Sequence, residues 1–238
     1  LEYGLEEFAL EPPVMKIEMV NEIPLARGLG SSAAASVAGL RAAEALVGEE
    51  LPYPRLMELA TRIEGHPDNA AAALLGGFVV VGNSPARFDP PGNLYVALFI
   101  PELPLRTESM RATLPEHVTH RDAAHNVSRT AMIAAALASG LRLDLLEAMG
   151  EDRLHEPYRA EHFTQLPHLV AAARDAGALG ASLSGAGSTV IALTDDAAVA
   201  QRVADAMART AKDLSLDGRG VVTRPVNGSA RVVEAGRS

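Results

Sequence analysis

Glu22-Ile-Pro-Leu-Ala-Arg-Gly28-Leu-Gly-Ser-Ser32-Ala-Ala-Ala-Ser36 is the stretch on which the reading of this chain turns, and helix-forming residues continue it to Leu46. Upstream, Met15, Ile17 and Met19 alternate with Lys16 and Glu18, which predicts a half-buried strand. Downstream, residues 33–46 are rich in alanine and leucine and free of proline, which predicts a helix. Between them lies Gly28-Leu29-Gly30-Ser31-Ser32. Two glycines let the backbone take positive φ and approach a ligand closely, and Ser31 or Ser32 is placed to cap the helix. A glycine turn running into a helix N-terminus presents open N–H groups and the positive end of the helix dipole, an arrangement suited to phosphate. Gly-x-Gly alone also fits an ordinary strand-turn-helix joint.

The run is not a Walker loop, because Gly-x-x-x-x-Gly-Lys-Ser/Thr is absent, and not a dinucleotide fingerprint, because the third glycine is missing. The longer pattern Pro24-x-x-x-Gly28-Leu-Gly-Ser-Ser-Ala-Ala34 resembles the phosphate-binding motif of the GHMP kinase superfamily, the small-molecule kinases of galactose, homoserine, mevalonate and phosphomevalonate. The resemblance implies ATP, with Pro24, Arg27, Gly28, Leu29, Gly30, Ser31, Ser32 and Ala33 around its phosphates and Ser32 reaching Mg2+.

The composition is ordinary for a soluble globular protein. The chain has 238 residues, 48% hydrophobic and 21% charged, with a net charge of −9. That balance argues against a broad nucleic-acid surface. No uncharged apolar run reaches about 18 residues, so no membrane span is expected. The first residues are acidic and lack a signal-peptide pattern. Cysteine is absent, which excludes disulfides, thiolate catalysis and cysteine-bound metals and fits a cytoplasmic protein. Lys16 and Lys212 are the only lysines; the other basic side chains are arginines, which pair bidentately with carboxylates and phosphates. Genome composition or heat adaptation would give the same bias. A homodimer is compatible with the sequence.

Helices are expected over 54–64, from 70 to 75, over 121–139, over 166–176 and from Asp195 or Asp196 to about 210, several of them stopped by glycine. Strands are expected at 78–81, 94–100, 179–183, 189–193 and 220–226. Residues 83–93, rich in Pro, Gly, Asn and Ser, are the best boundary candidate, giving expected domains of 1–91 and 92–238. Helices and strands mix without a strict alternation, which favours α+β. The GHMP resemblance implies an N-terminal domain of ribosomal-protein-S5-like type, a ferredoxin-like second domain, and a site between them. The chain opens on Leu1 in mid-element, and nothing matches the first motif that precedes the phosphate loop in the family; a fragment lacking that motif is expected.

Glu64-Gly65-His66-Pro67-Asp68-Asn69 places two carboxylates, an imidazole and an amide within six residues. Such a set suits a metal or a polar substrate, and equally a helix joint capped by Asp68 or Asn69. His-Pro-Asp-Asn followed by Leu74-Leu-Gly-Gly-Phe78 resembles the homoserine kinase branch. There the resemblance puts His66, Asp68 and Asn69 at the amino and hydroxyl end of L-homoserine. It also implies a Mg2+-binding glutamate beside Ser32, most simply Glu64, with Glu58 as the alternative. Ser184-Gly185-Ala-Gly187-Ser188 reads by itself as a tight turn; it resembles the family's third motif, which closes over the phosphate loop through Gly185 and Gly187. Arg111 and Arg159 match positions that hold the substrate carboxylate, with Arg129 as a rival, while His125 and His155 fit surface or packed histidines. The implied catalytic set is Ser32, Glu64 and Asp68, and the implied reaction is phosphorylation of the homoserine hydroxyl by ATP in threonine biosynthesis. Another GHMP kinase of mevalonate type, or a binding relative without turnover, is the alternative.

Overall fold

A computed structural model of the chain describes residues 1–233. They form two compact units, one of residues 1–24, 30–89 and 226–233, the other of residues 25–29 and 90–225. The chain leaves the first unit after Asp89 and returns to it at Val226, and the glycine loop is itself divided between the units. The last residues of the expected second domain, 234–238, lie outside the described residues.

The first unit is mostly helical: α1 (Glu2–Glu6), α2 (Ser31–Val47), α3 (Tyr53–Glu64) and α4 (Asp68–Leu75), followed by the short strands β1 (Phe78–Val80) and β2 (Ala86–Phe88). In α3, Leu56, Leu59 and Ala60 recur on one face, and they bury against Val37 and Leu40 of α2 and Ala70, Ala71 and Leu74 of α4. Alanines at the α2–α4 contact let the helices approach closely, which brings their first turns near the end of α3. Gly65, at φ +78°, ends α3, because a left-handed residue cannot continue the helix. β1 and β2 pair antiparallel, Phe78 opposite Phe88, so β2 lies inside the stretch expected to be a linker. β1 is half-buried.

The strand expected at Met15–Met19 does not form. The stretch is irregular, and Ile17 and Met19 are about three-fifths exposed, at 62% and 61%. Alternation marks a backbone that suits a sheet, but a strand exists only where a neighbour takes its N–H and C=O groups. Among the described residues none pairs with this segment.

The second unit holds β3 (Tyr95–Pro101), α5 (Thr107–Ala112), α6 (His120–Ser139), a 3-10 turn at Leu143–Ala148, α7 (Glu156–Ala160), α8 (Leu166–Asp175), β4 (Gly180–Leu183), β5 (Val190–Thr194), α9 (Ala197–Asp213) and β6 (Gly218–Thr223). Its four strands form one antiparallel sheet in the order β4-β5-β3-β6. With α8 before β4 and α9 before β6, this is the ferredoxin-like arrangement. The apolar run of β3 is central, paired on both sides, and buried almost throughout, as a strand without alternation should be. Phe99 and Ala97 of β3 pack with Leu169 and Ala173 of α8 and Val203, Ala204 and Met207 of α9. Asp196 caps α9 by accepting from the Val199 amide at 2.9 Å. No helix among the described residues is long and apolar enough to cross a membrane.

Candidate active site

The first unit carries the second half of the glycine loop. Gly30, at φ +72°, occupies the capping position of α2, and Ser31 is the first helical residue. The expected serine cap is therefore corrected: no side chain caps α2. Uncapped, the first amides of α2 stay open for an anion, with the helix dipole behind them. Ser31 is buried, and its hydroxyl accepts from the Asn21 side-chain amide at 3.0 Å. Asn21 also binds both the N–H and the C=O of Ile23, so it braces the approach to the loop beside Pro24.

Ser32 faces the other way. Its hydroxyl donates to Glu64 Oε1 at 2.9 Å, and Ser36, one helical turn later, donates to the same oxygen at 2.6 Å. Two hydroxyls thus fix the carboxylate that ends α3. Glu58, the alternative, pairs instead with Arg55 at 2.6 Å, and Arg55 is also held by Glu7. Beyond Gly65, His66 Nδ1 donates to the Asp68 carboxylate, which also accepts from the Asn69 amide at 2.7 Å. Asp68 and Asn69 open α4 without capping it. A methyl group placed on Gly30 would lie 3.6 Å from the Asn69 side-chain amide. Ser32, Glu64, Gly30 and Asn69 are therefore drawn together where α2, the end of α3 and the start of α4 meet.

The second unit carries the first half of the loop and the arginines. The Ser184 hydroxyl donates to the Gly28 carbonyl at 2.8 Å, and the Thr189 amide donates to the Arg27 carbonyl at 3.1 Å. The turn between β4 and β5 thus clasps residues 27–28, with Gly185 and Gly187 in that turn. Arg27 directs its guanidinium to the carbonyls of Pro101, Leu25 and Ala26, which leaves the loop backbone as the better anion donor. Arg159, on α7, donates to the Gly185 carbonyl at 2.7 Å, while its buried Nε has no partner among the described residues. Burial pushes the Arg159 guanidinium below its usual pKa, and the positive charge of Arg111 adds to that. The negative charges of Asp152 and Glu156 oppose that shift. Arg129 pairs with Glu151 at 2.9 Å and so has a partner of its own. His125 bonds the Glu151 carbonyl and His155 bonds Asp152, both structural contacts.

Residues 1–77 match the family model of the GHMP kinases N terminal domain, and residues 133–213 that of the GHMP kinases C terminal. A homoserine kinase of Deinococcus radiodurans is 41% identical over 93% of this chain and 73% of its own length. The chain belongs to the homoserine kinases of the GHMP kinase family. A homoserine kinase of Moorella thermoacetica is 46% identical over 76% of this chain and 63% of its own. The crystal structure of homoserine kinase from Cytophaga hutchinsonii superposes with a TM-score of 0.81 at 29% identity, covering 87% of this chain and 69% of that one. The chain therefore spans between 63% and 73% of the length of these three relatives.

As a member of the homoserine kinases the chain is an ATP-dependent small-molecule kinase. Two of the residues that shape its site escaped the sequence. Ser36 had a usable signal, since a serine four positions after Ser32 shares its helical face. Asn21 had none, because its contact depends on how an irregular segment is laid down. A cavity of about 470 Å3 beside α7 and α8, lined by Asp152, Glu156, Leu166, Val170 and Arg174 among others, contains none of the expected site residues.

Proposed function

We propose that this homoserine kinase transfers the γ-phosphoryl group of ATP to the L-homoserine hydroxyl, the step that commits homoserine to threonine, through the residues assigned as follows. The amides of Gly28 to Ala33 hold the β- and γ-phosphates. Arg111 and Arg159 take the homoserine carboxylate, and Asp68, with Asn69 and His66, takes the ammonium and hydroxyl end. The hydroxyl oxygen forms a bond to the γ-phosphorus as the bond to the bridging oxygen of ADP breaks, and the hydroxyl proton is released. Asp68, already bonded to His66 and charged with the ammonium, is not assigned as the base.

The observation that carries this reading is the Ser32–Glu64 pair, 2.9 Å apart at the uncapped start of α2. A hydroxyl and a carboxylate are hard oxygen donors, and Mg2+ takes one or two protein oxygens together with phosphates and waters. No group of three or more His, Cys, Asp or Glu side chains suited to a metal occurs among the described residues, which favours a cation shared with a nucleotide over one caged by protein. When bound, Mg2+ would neutralise charge on the phosphates. The residues themselves position: Ser36 steadies Glu64, and Asn69 lies against Gly30, which supports placing the homoserine hydroxyl near the phosphate loop.

The test is ADP release with homoserine, mevalonate and galactose side by side, in wild type and Asp68→Asn. Homoserine alone is expected to drive turnover. Asp68→Asn removes the counter-charge at constant shape and should weaken homoserine about ten- to a hundredfold with the ATP KM unchanged. Turnover of mevalonate in preference to homoserine would overturn the substrate assignment.

A further inference from the structure

Helix α7 is five residues long, too short to hold its own geometry, yet it carries Arg159. Its position must come from outside: Glu156 ties it to β4 by accepting from the Leu183 amide at 2.6 Å, and Asp152 gathers the groups ahead of it. Asp152 Oδ1 accepts from the side-chain amide of Asn126, from the Leu154 amide at 3.0 Å and from His155 Nδ1 at 3.2 Å. Its Oδ2 accepts from the amides of His155 at 2.8 Å and Glu156 at 2.6 Å. Asn126 completes the tie from α6 by accepting from the Arg153 amide at 2.9 Å. The open N–H groups ahead of α7 and the flank of α6 are thus gathered on one carboxylate. At the far end of α7, Arg159 is bonded to Gly185 and keeps a buried, unpartnered Nε among the described residues.

We propose that Asp152 is a positioning residue for the substrate carboxylate: it fixes the first turn of α7 against α6 and so aims Arg159. This rests on the carboxylate role given to Arg159 above. An ionised carboxylate is the group that can do it, because both oxygens must accept; an asparagine has one acceptor and would turn an NH2 group onto other donors. Burial by itself would raise the Asp152 pKa, but the bonds from His155, Asn126 and the two amides outweigh it and hold the carboxyl well below the usual range. Asp152 therefore stays charged at any working pH. Its charge also favours the Arg159 cation, against the effect of burial and of Arg111.

The experiment compares wild type, Asp152→Asn and the milder Asn126→Ala as the full chain, by kinetics in homoserine and in ATP, by thermal melting, and by the side-chain Nε–Hε NMR signal of Arg159. Asp152→Asn is expected to raise the homoserine KM roughly ten- to a hundredfold, as a displaced binding group does, with the ATP KM unchanged and the Arg159 signal shifted. Asn126→Ala should do the same to a smaller extent, and it decides the matter if Asp152→Asn does not fold. An unchanged homoserine KM with an unmoved Arg159 signal overturns the proposal. So does an even loss in kcat, both KM values and Tm, which marks a merely structural residue. If wild type does not turn over homoserine, the functional reading fails separately; the Arg159 signal then decides alone, a shift supporting the positioning role and an unmoved signal overturning it.

Discussion

Gly28 and Gly30 share a loop and nearly the same backbone angle, φ +69° and +72°, but not the same surroundings. A Cβ on Gly28 would lie 2.1 Å from the Ser184 carbonyl oxygen and 2.9 Å from the Gly187 backbone. A Cβ on Gly30 would meet nothing nearer than the Asn69 side chain at 3.6 Å, an ordinary contact. Both positions need glycine for conformation, but only Gly28 also needs it for space. A glycine motif therefore combines two requirements that substitution can separate.

The largest effect is expected at Gly28. Gly28→Ala meets backbone that cannot swing aside and adds left-handed strain, so urea unfolding should show a loss above about 2 kcal/mol, and calorimetry should show ATP binding lost with it. A variant of wild-type stability would mean that the turn between β4 and β5 does not hold the loop. Next comes Glu64→Gln, which keeps an acceptor for Ser32 and Ser36 but removes the charge. Turnover should fall about a hundredfold and the Mg2+ requirement should rise, while Tm moves little. Glu58→Gln should leave turnover and the magnesium titration as in wild type, and a defect confined to Glu58→Gln would reverse the assignment.

Gly30→Ala should fall well below Gly28→Ala, about 1 kcal/mol from conformation alone, with ATP binding weakened but measurable. Equal losses at Gly28 and Gly30 would erase the distinction between them. The smallest effect is expected at Glu156, whose Oε1 accepts from the Leu183 amide at 2.6 Å and whose pKa burial raises. A raised folded pKa means that the ionised form costs stability above the unfolded value and not below it. Glu156→Gln keeps the acceptor and drops the charge, so it should be slightly more stable than wild type at pH 7. The gain should fade as pH falls toward the ordinary value of 4.5. Melting curves across that range test the sign.

Legibility followed how local each cause was. The α3 face, the Gly65 and Gly140 stops, the Asp196 cap and the antiparallel pair flanking Ser184–Ser188 were all readable, because each depends on neighbours along the chain. Met15–Met19 and Tyr95–Pro101 both read as strands, yet only the second has partners. The serine cap failed for a similar reason: Ser31 and Ser32 have capping chemistry, but Asn21 and Glu64 engage their hydroxyls.

By itself the sequence determined the α+β class, the glycine loop ahead of a helix, and the motifs that carry the resemblance to homoserine kinases, Gly-Leu-Gly-Ser-Ser and His-Pro-Asp-Asn. These are properties of residue type and spacing, which chain connectivity preserves. Only the tertiary structure decided that Ser32 meets Glu64 and not Glu58, that Gly28 is sealed where Gly30 has room, and that Asp152 anchors the helix bearing Arg159. The first two are contacts between segments far apart in the chain, and the third joins a local set of amides to Asn126 on α6. Hydrogen bonds and close packing depend on distances of a few tenths of an ångström, and spacing along the sequence does not encode them.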